Sequence, residues 1–287
     1  PVLPLLALAL LTRSWLALLG LTLIAAIGGL WVAPYFLPAE SGAAASYLLR
    51  AVTLNVRVDS PDMTAITAWL RDTDTDIVLL QDLTAEAANT VADVLSDVYP
   101  NRSGDSEDSS DTLILSRYPI HDTARLEWEF GPFRQLLQVE VDVNGQPVSV
   151  YNVHLAWPTN ETRWSVIDNA YINMALAFDD RIRNQQIAAL IQRLAKETNP
   201  YIVGGNFNTS ATSVTYQQLA AAMHDSFYES GSGLGLTWPV NDILPPLLRL
   251  DYIWHSDHFR TVAASTGPRL SSDHLPVQVS LALKSPA

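Results

Sequence analysis

The sequence predicts a mixed α/β domain that follows an apolar membrane segment. Residues 1–39 contain a single charged residue, Arg13, whereas acidic and basic residues occur throughout the remainder of the chain. From Tyr47 onward, short apolar runs typical of strands alternate with stretches whose apolar residues recur at helical spacing. The chain has 287 residues and no cysteine. This length is enough for one large domain with a substantial core, and the lack of cysteine excludes disulfides and thiolate metal sites.

Residues 1–37 are predicted to be a transmembrane anchor. As one helix they would extend about 55 Å, which is too long for one span of a roughly 30 Å hydrocarbon core and too short for two. An arginine at mid-span costs roughly 2.5–3.5 kcal/mol, so Arg13 is expected in a short turn. Leu3 to Leu11 would then end an earlier span, and residues 14–36 would form one full span. The alternative is a secretory signal peptide, whose apolar region should be shorter.

Arg13 also predicts how the domain is oriented. Basic residues favour the cytoplasmic side of a membrane, so the turn at Arg13 should lie in the cytoplasm of a bacterial-type cell. The domain would then lie outside the cytoplasmic membrane. Residues 38–46 are small and predict a linker, which leaves residues 47–287 as the folded domain.

The elements of the predicted domain follow from local patterns. Strands are predicted at Tyr47–Val56, Ile77–Leu80, Thr112–Leu115, Leu136–Val143, Val148–His154, Tyr201–Val203, Arg249–Trp254, Thr261–Ala264 and Pro276–Leu281. Helices are predicted to begin at Ser60-Pro61 and to cover Ala85–Leu95 and Asn184–Lys196. Asn144-Gly145 predicts a tight hairpin, and the polar stretch Asn101–Asp111 predicts a solvated loop.

The charge balance of the domain argues against one class of substrate. The chain carries 17 basic and 30 acidic residues, and Arg13 is the only charge before Glu40. Residues 40–287 therefore have 16 basic residues against 30 acidic ones, a balance of −14. A protein that binds a nucleic-acid backbone through its charge needs clustered Lys and Arg residues. Long DNA or RNA is thus not an expected partner, whereas acidic residues converging on a divalent cation would fit the composition.

Short polar motifs follow the predicted strands, at the positions where α/β domains build sites. A lone Asn or Asp at a strand end is usually a turn residue, so the signal is their joint occurrence. The candidate site residues are Asn55, Asp82, His154, Asn206, Asn208, Asp251, Asp273 and His274.

In this order, from Ala51 to Leu283, the motifs resemble those of the endonuclease/exonuclease/phosphatase superfamily. The resemblance implies the DNase I-like fold, a four-layer α/β sandwich in which two mixed sheets pack together and carry helices on their outer faces. The stretch Leu115–Ile120 adds a further family-like segment. The apolar N-terminus and Leu244–Asp251 resemble the membrane-anchored bacterial branch, which includes proteins associated with glycopeptide-antibiotic resistance.

The resemblance also implies a role for each candidate residue. Asp82, Asn55 and Asp273 would bind Mg²⁺ or Mn²⁺, a hard cation that prefers oxygen ligands. His274, oriented by Asp251, would act at the phosphorus centre, and His154 and Asn208 would contact phosphate oxygens. The remaining histidines match no motif and are predicted to be structural or on the surface: His121, in a loop, and His224, His255 and His258.

Two positions depart from the family pattern. The family has Glu where this chain has Asp82, and it has Asp where this chain has Asn206. The Asp positions or deprotonates the attacking water, and an amide cannot accept that proton. Loss of a positioned base typically lowers the rate by roughly 10²–10⁴-fold.

These observations lead to two hypotheses. The first is a membrane-tethered, divalent-metal-dependent phosphoesterase that faces the lipid headgroups and acts on a small or lipid-linked phosphate ester. Membrane lipid would then be one of its partners. The second is a non-catalytic subunit of a membrane assembly that keeps the phosphoesterase fold. In that case residues 157–178, rich in Trp, Tyr, Ile and Met, and the transmembrane segment would contact partner proteins. A module that binds a phosphorylated lipid without cleaving it is a third, less favoured reading.

Overall fold

The structure is a computed structural model, and it describes residues 12, 14–36, 48–58, 63–104, 111–128, 135–159, 177–243 and 245–284. Arg13, the linker at 38–46 and most of the 157–178 segment lie outside these residues. The predictions made for them are therefore not tested.

The N-terminal segment is helical where a span was predicted. Helix α1 covers Trp15–Val32 and continues into a 3-10 turn at Ala33–Phe36. At 1.5 Å per residue, the 18 residues of α1 extend about 27 Å, slightly less than a hydrocarbon core of roughly 30 Å. Among the described residues, no helix meets the combined length and apolarity needed to cross a membrane.

The domain contains twelve strands and five helices within its described residues. The strands are β1 Leu48–Asn55, β2 Ile77–Gln81, β3 Asn101–Ser103, β4 Thr112–Ser116, β5 Ile120–Glu127, β6 Gln135–Val143, β7 Gln146–His154, β8 Tyr201–Asn206, β9 His224–Asp225, β10 Asp251–His255, β11 Phe259–Thr266 and β12 Val277–Leu283. The helices are α2 Met63–Asp72, α3 Ala85–Val94, α4 Arg181–Leu194, α5 Val214–Ala222 and α6 Ser226–Ser230.

The strands form two six-stranded sheets. One has the order β11-β12-β1-β2-β4-β3 and the other β5-β6-β7-β8-β10-β9. Each sheet is antiparallel except for one central parallel pair, β1 with β2 and β7 with β8. The predicted hairpin at Asn144-Gly145 is confirmed, since both residues have positive φ and join β6 to β7.

The four-layer sandwich expected from the resemblance is confirmed. Apolar residues of both sheets, including Leu79, Val139 and Ile253, form one buried cluster between the sheets. A second cluster packs α2 and α3 on the outer face of the first sheet, and a third packs α4 and α5 on the outer face of the second. Gly204 of β8 permits close packing of the sheets, because a Cβ atom there would collide with the Leu79 side chain of the facing sheet.

A polar contact crosses this apolar interior. The Gln81 amide at the end of β2 donates to Asn152 Oδ1 of β7 over 2.7 Å, and both residues are fully buried. Asn152 Nδ2 in turn donates to the Leu80 and Leu113 carbonyls, at 2.9 and 3.0 Å, on the first sheet. Buried amides that are fully bonded fix one relative placement of the groups they join. The network therefore sets the position of one sheet against the other, next to Asp82 and His154.

Removing the Asn152 amide should destabilise the domain markedly. Asn152→Ala leaves the buried Gln81 side chain without that partner, and a buried unsatisfied polar group costs about 1–3 kcal/mol. We expect the free energy of unfolding, measured by urea denaturation, to fall by about 2–3 kcal/mol. Asn199→Ala is the control, because Asn199 makes a half-buried contact of 3.2 Å to Glu140 that water can replace. Equal losses in the two variants would contradict the structural role of Asn152.

Candidate active site

The topology alone brings the predicted residues to one edge of the sandwich. Asn55 and Asp82 end or follow the parallel strands β1 and β2, and His154 and Asn206 end the parallel strands β7 and β8. The other candidates precede strands that run antiparallel to these. Asp251 starts β10 opposite Asn206, and Asp273-His274 come shortly before β12, whose Val277 pairs with Thr53 of β1.

Three candidates form a row across the second sheet. His154 is in register with Asn206, and Asn206 is in register with Asp251. Strands lie about 4.8 Å apart, so paired residues on neighbouring strands are direct neighbours on one face. All three side chains are buried. Gly205 permits this spacing, since its φ of 146° and its approach to the Val153 carbonyl leave no room for a Cβ atom.

His274 forms an ion-pair contact with the end of this row. Its Nδ1 lies 2.7 Å from Asp251 Oδ2, and both side chains are almost completely buried. Burial alone would lower the pKa of the His274 imidazole, but the Asp251 carboxylate raises it, and Asp273 and Asp82 add to the rise. The net result is a raised pKa, which favours an imidazolium at this position. Asp251 Oδ1 is buried and has no hydrogen-bond partner among the described residues.

The loop that carries His274 is tied to the end of β1. The Ser272 hydroxyl donates to the Asn55 carbonyl over 2.6 Å and accepts the His274 backbone N–H over 2.9 Å. This arrangement places Asp273 and His274 beside Asn55. The Asn55 side chain accepts the Arg57 backbone N–H over 2.9 Å, so its carbonyl oxygen is held at the strand end.

The charges of His154, Asp111 and Asp273 act on the Asp82 carboxylate. Burial raises its pKa, the His154 charge and the Val58 N–H oppose that rise, and the Asp111 and Asp273 carboxylates add to it. Its φ of 60° is left-handed, a conformation that Asp tolerates better than most residues. A cation beside Asp82 would relieve both the burial penalty and the repulsion between carboxylates.

The oxygen-bearing side chains predicted as metal ligands suit a hard divalent cation, although they do not form a complete coordination shell among the described residues. No group of three or more His, Asp or Glu side chains in the described ranges is arranged to hold a metal ion. The predicted set consists of two carboxylates, Asp82 and Asp273, and the Asn55 amide. Magnesium commonly binds through one or two carboxylates and keeps several waters, so this smaller set is compatible with it.

Sequence reasoning missed Asp111, which it assigned to a solvated loop. Asp111 immediately precedes β4, whose Thr112 pairs with Gln81, so the topology places it beside Asp82. Its carboxylate forms a short contact with Nδ1 of His154. The site therefore contains two Asp–His pairs, Asp111 with His154 and Asp251 with His274. An acidic residue directly before a buried strand was the only signal in the sequence.

The segment around Trp238 was also missed. The Thr237 hydroxyl accepts the Leu250 and Asp251 backbone N–H groups over 3.1 and 3.3 Å. The Trp238 indole N–H donates to Asp273 Oδ2 over 3.2 Å, and its ring lies 6.4 Å from the His274 ring. This segment therefore holds the Asp251 backbone and the Asp273 side chain together.

Arg249 fixes the start of β10 from the other side. Its guanidinium is buried 2.6 Å from Asp225 and lies within 4.7–5.6 Å of the rings of Tyr216, Phe227 and Tyr252. A buried ion pair with aromatic faces around the cation holds its backbone firmly in place. The contacts of Arg249 with Asp225 and the aromatic rings therefore help to position Asp251, which follows two residues later in the chain.

Asn208 completes the set, just beyond Asn206. Its backbone N–H donates to Asn206 Oδ1 over 2.9 Å, and its side-chain Nδ2 donates to the Leu155 carbonyl over 2.8 Å. Within the part of the chain that the structure describes, Asn208 Oδ1 is buried and unpartnered.

The four histidines outside the motifs lie elsewhere. His224 and His255 stack at 5.2 Å and share Glu229, and His258 contacts Ser256 nearby. His121 lies 3.5 Å from Asp142 at the surface, in β5 and not in the loop that the sequence predicted. The structure thus brings all eight candidate residues to one edge and keeps these four away from it.

Comparisons with known proteins agree with this geometry. The model of the Endonuclease/Exonuclease/phosphatase family matches residues 52–274, which include every candidate residue. A comparison with curated proteins gives no match.

Similar solved structures cover most of the chain at low sequence identity. An endonuclease/exonuclease/phosphatase from Bacteroides vulgatus has a TM-score of 0.66 and 16% identity, covering 83% of this chain and 100% of that one. A humanized D. rerio TDP2 has a TM-score of 0.64 and 16% identity, covering 82% and 98%. A beta toxin from Staphylococcus aureus has a TM-score of 0.61 and 17% identity, covering 80% and 99%. At such identities these likenesses establish the fold.

Proposed function

The chain belongs to the endonuclease/exonuclease/phosphatase family, and from this premise we propose that it is a divalent-metal-dependent phosphoesterase that hydrolyses a small or lipid-linked phosphate ester. The observation that carries the proposal is the buried row His154, Asn206 and Asp251, with His274 bonded to its end. Imidazole, amide and carboxylate groups at one sheet edge suit an anionic phosphoryl group and an attacking water.

Each of the candidate side chains has a separate role in this hydrolysis. His154 and Asn208 bind phosphate oxygens, and His274, kept protonated by Asp251, stabilises negative charge that develops at the phosphoryl group. Asp251 holds the Nδ1 proton of His274, so that Nε2 faces the ester. Asn55, Asp82 and Asp273 would hold Mg²⁺ or Mn²⁺, which neutralises phosphate charge as a Lewis acid when bound. The acidic balance of the domain disfavours long nucleic acids.

The second part of the proposal is a membrane tether with the domain outside the cytoplasm. It is supported by α1, where Leu16, Leu23 and Ile27 expose 85%, 60% and 59% of their surfaces, and by the single basic residue Arg13 before the helix. Large apolar residues on one exposed helix favour burial in lipid. Protease treatment of intact cells should digest the domain, and full protection there would contradict the orientation.

Replacing His274 should remove the activity. With Mg²⁺ or Mn²⁺, the protein is expected to hydrolyse p-nitrophenyl phosphate or bis(p-nitrophenyl) phosphate, and His274→Ala should lower kcat by at least about 10²-fold. His121→Ala is the control, because it removes an exposed imidazole far from the row, and thermal melting verifies that both variants fold. Turnover that survives His274→Ala would contradict the assigned role.

One observation favours the alternative of a non-catalytic subunit in a membrane assembly. Asn206, at the centre of the row, is an amide whose Oδ1 already accepts the Asn208 N–H. It therefore offers no proton acceptor to a water. A domain of this kind would bind partner proteins through α1 and residues 157–178, of which 160–176 lie outside the described ranges.

Restoring a carboxylate at residue 206 separates the two functions. In Asn206→Asp, one oxygen can keep the Asn208 N–H while the other accepts a proton from water, so metal-dependent turnover should rise at least about tenfold. Asn144→Asp adds the same charge in the exposed β6–β7 turn and should change nothing. Adding Asp82→Glu should raise the rate further, since both residues act on one metal–water unit.

A revertant Asn206→Asp/Asp82→Glu that binds metal but cleaves no ester in a broad panel would refute the enzyme proposal. The subunit proposal would then take its place.

A further inference from the structure

A cavity of about 400 Å³ opens beside the candidate active site. Its walls are largely apolar and include Trp157, Pro158, Phe178, Leu248 and Leu250, and Asn208 of the candidate active site also lines it. The volume falls within the range of small-molecule sites in proteins, roughly 300–1,000 Å³. Phe178 lines the cavity and has 59% of its surface exposed to solvent.

The cavity and the active site share a wall. The Trp157 ring packs edge-on against the Trp238 ring at 5.4 Å, and the Trp238 ring lies 6.4 Å from His274. Trp238 also donates to Asp273. A phosphoryl group bound by Asn208 and His274 would therefore have its ester substituent at the mouth of this cavity.

The charges of the cavity are already balanced. Arg183 lines it, but Nη2 of Arg183 lies 3.1 Å from Asp180 and Nη1 donates to the Asn208 carbonyl. If the substrate carried a second phosphate, that group would need a positively charged side chain that is not already paired with an acidic residue. The acidic balance of the domain would also repel it. An uncharged group meets neither repulsion nor a desolvation penalty at these apolar walls.

We propose that this cavity binds the uncharged, mainly apolar alcohol portion of the substrate ester, next to the phosphoryl group. The inference rests on the proposed phosphoesterase function and specifies its substrate class. In the reaction, a water oxygen forms a bond to phosphorus and the bond from phosphorus to the alcohol oxygen breaks. The attacking water gives up one proton, and the alcohol oxygen leaves with the electron pair of the broken bond and takes up one proton. The freed alcohol then departs past Phe178.

The test compares esters whose alcohols have similar intrinsic reactivity but different polarity. These are 2-naphthylmethyl phosphate, octyl phosphate and glycerol phosphate, each also as its methyl diester. In the full-length protein, Phe178→Ala should lower kcat/KM for the two apolar esters about tenfold and for the glycerol ester less than twofold. Tyr228→Ala is the matched control, because Tyr228 is also an aromatic residue with 59% of its surface exposed. It should leave all three values unchanged.

The two apolar esters distinguish the source of the alcohol. A larger effect of Phe178→Ala on octyl phosphate supports a lipid chain in the cavity, and a larger effect on the naphthylmethyl ester supports a ring-bearing small molecule. A loss of equal size for the glycerol ester, or no loss for either apolar ester, overturns the proposal.

A binding measurement keeps the proposal testable if no ester is cleaved. Binding of 2-naphthalenemethanol, followed by NMR without added metal, should weaken about tenfold in Phe178→Ala and remain unchanged in Tyr228→Ala. Absence of turnover together with this binding pattern would refute the phosphoesterase function but keep the cavity as an apolar ligand site. Binding that is absent, or equal in both variants, would refute the cavity site.

Discussion

The structure depends on the buried hydrogen bond between Gln81 and Asn152, which joins the two sheets through an otherwise apolar interior. Apolar packing between sheets is non-directional and tolerates small shifts, whereas a buried amide network has one satisfied arrangement. Gln81 immediately precedes Asp82, and Asn152 lies two residues before His154. The contact therefore fixes the metal-ligand side of the proposed site relative to its phosphate-binding side.

The same arrangement accounts for the charge distribution of the site. Burial raises the pKa of Asp82, the nearby Asp111 and Asp273 carboxylates add to that rise, and the His154 charge opposes it. With Asn206 in place of a carboxylate, the row carries one negative charge fewer. The site then needs less positive charge from a bound cation to become neutral. It also lacks, at residue 206, a carboxylate oxygen that could accept a proton from an attacking water.

The sequence predicted the buried centre of the fold better than its edges. Strands such as β2 and β7 are uniformly apolar or end in a polar motif, and they lie within a few residues of their predicted positions. Strand β5 was missed because most of its residues, such as Asp122 and Thr123, are exposed or half-buried and give no alternating pattern. The short edge strand β3 lay in a stretch read as a loop for the same reason. Asp111 and Trp238 were missed because their roles arise from contacts between segments distant in sequence, to His154 and Asp273.

The central claim is that the strand ends assemble Asn55, Asp82 and Asp273 into a site for a divalent cation beside His274. The most direct measurement is anomalous diffraction from crystals of the protein grown with Mn²⁺. The account predicts one anomalous peak in contact with the Asp82 carboxylate and with at least one oxygen of Asn55 or Asp273. No peak at Asp82 at millimolar Mn²⁺, with the Asp251–His274 pair intact in the same crystals, would contradict it.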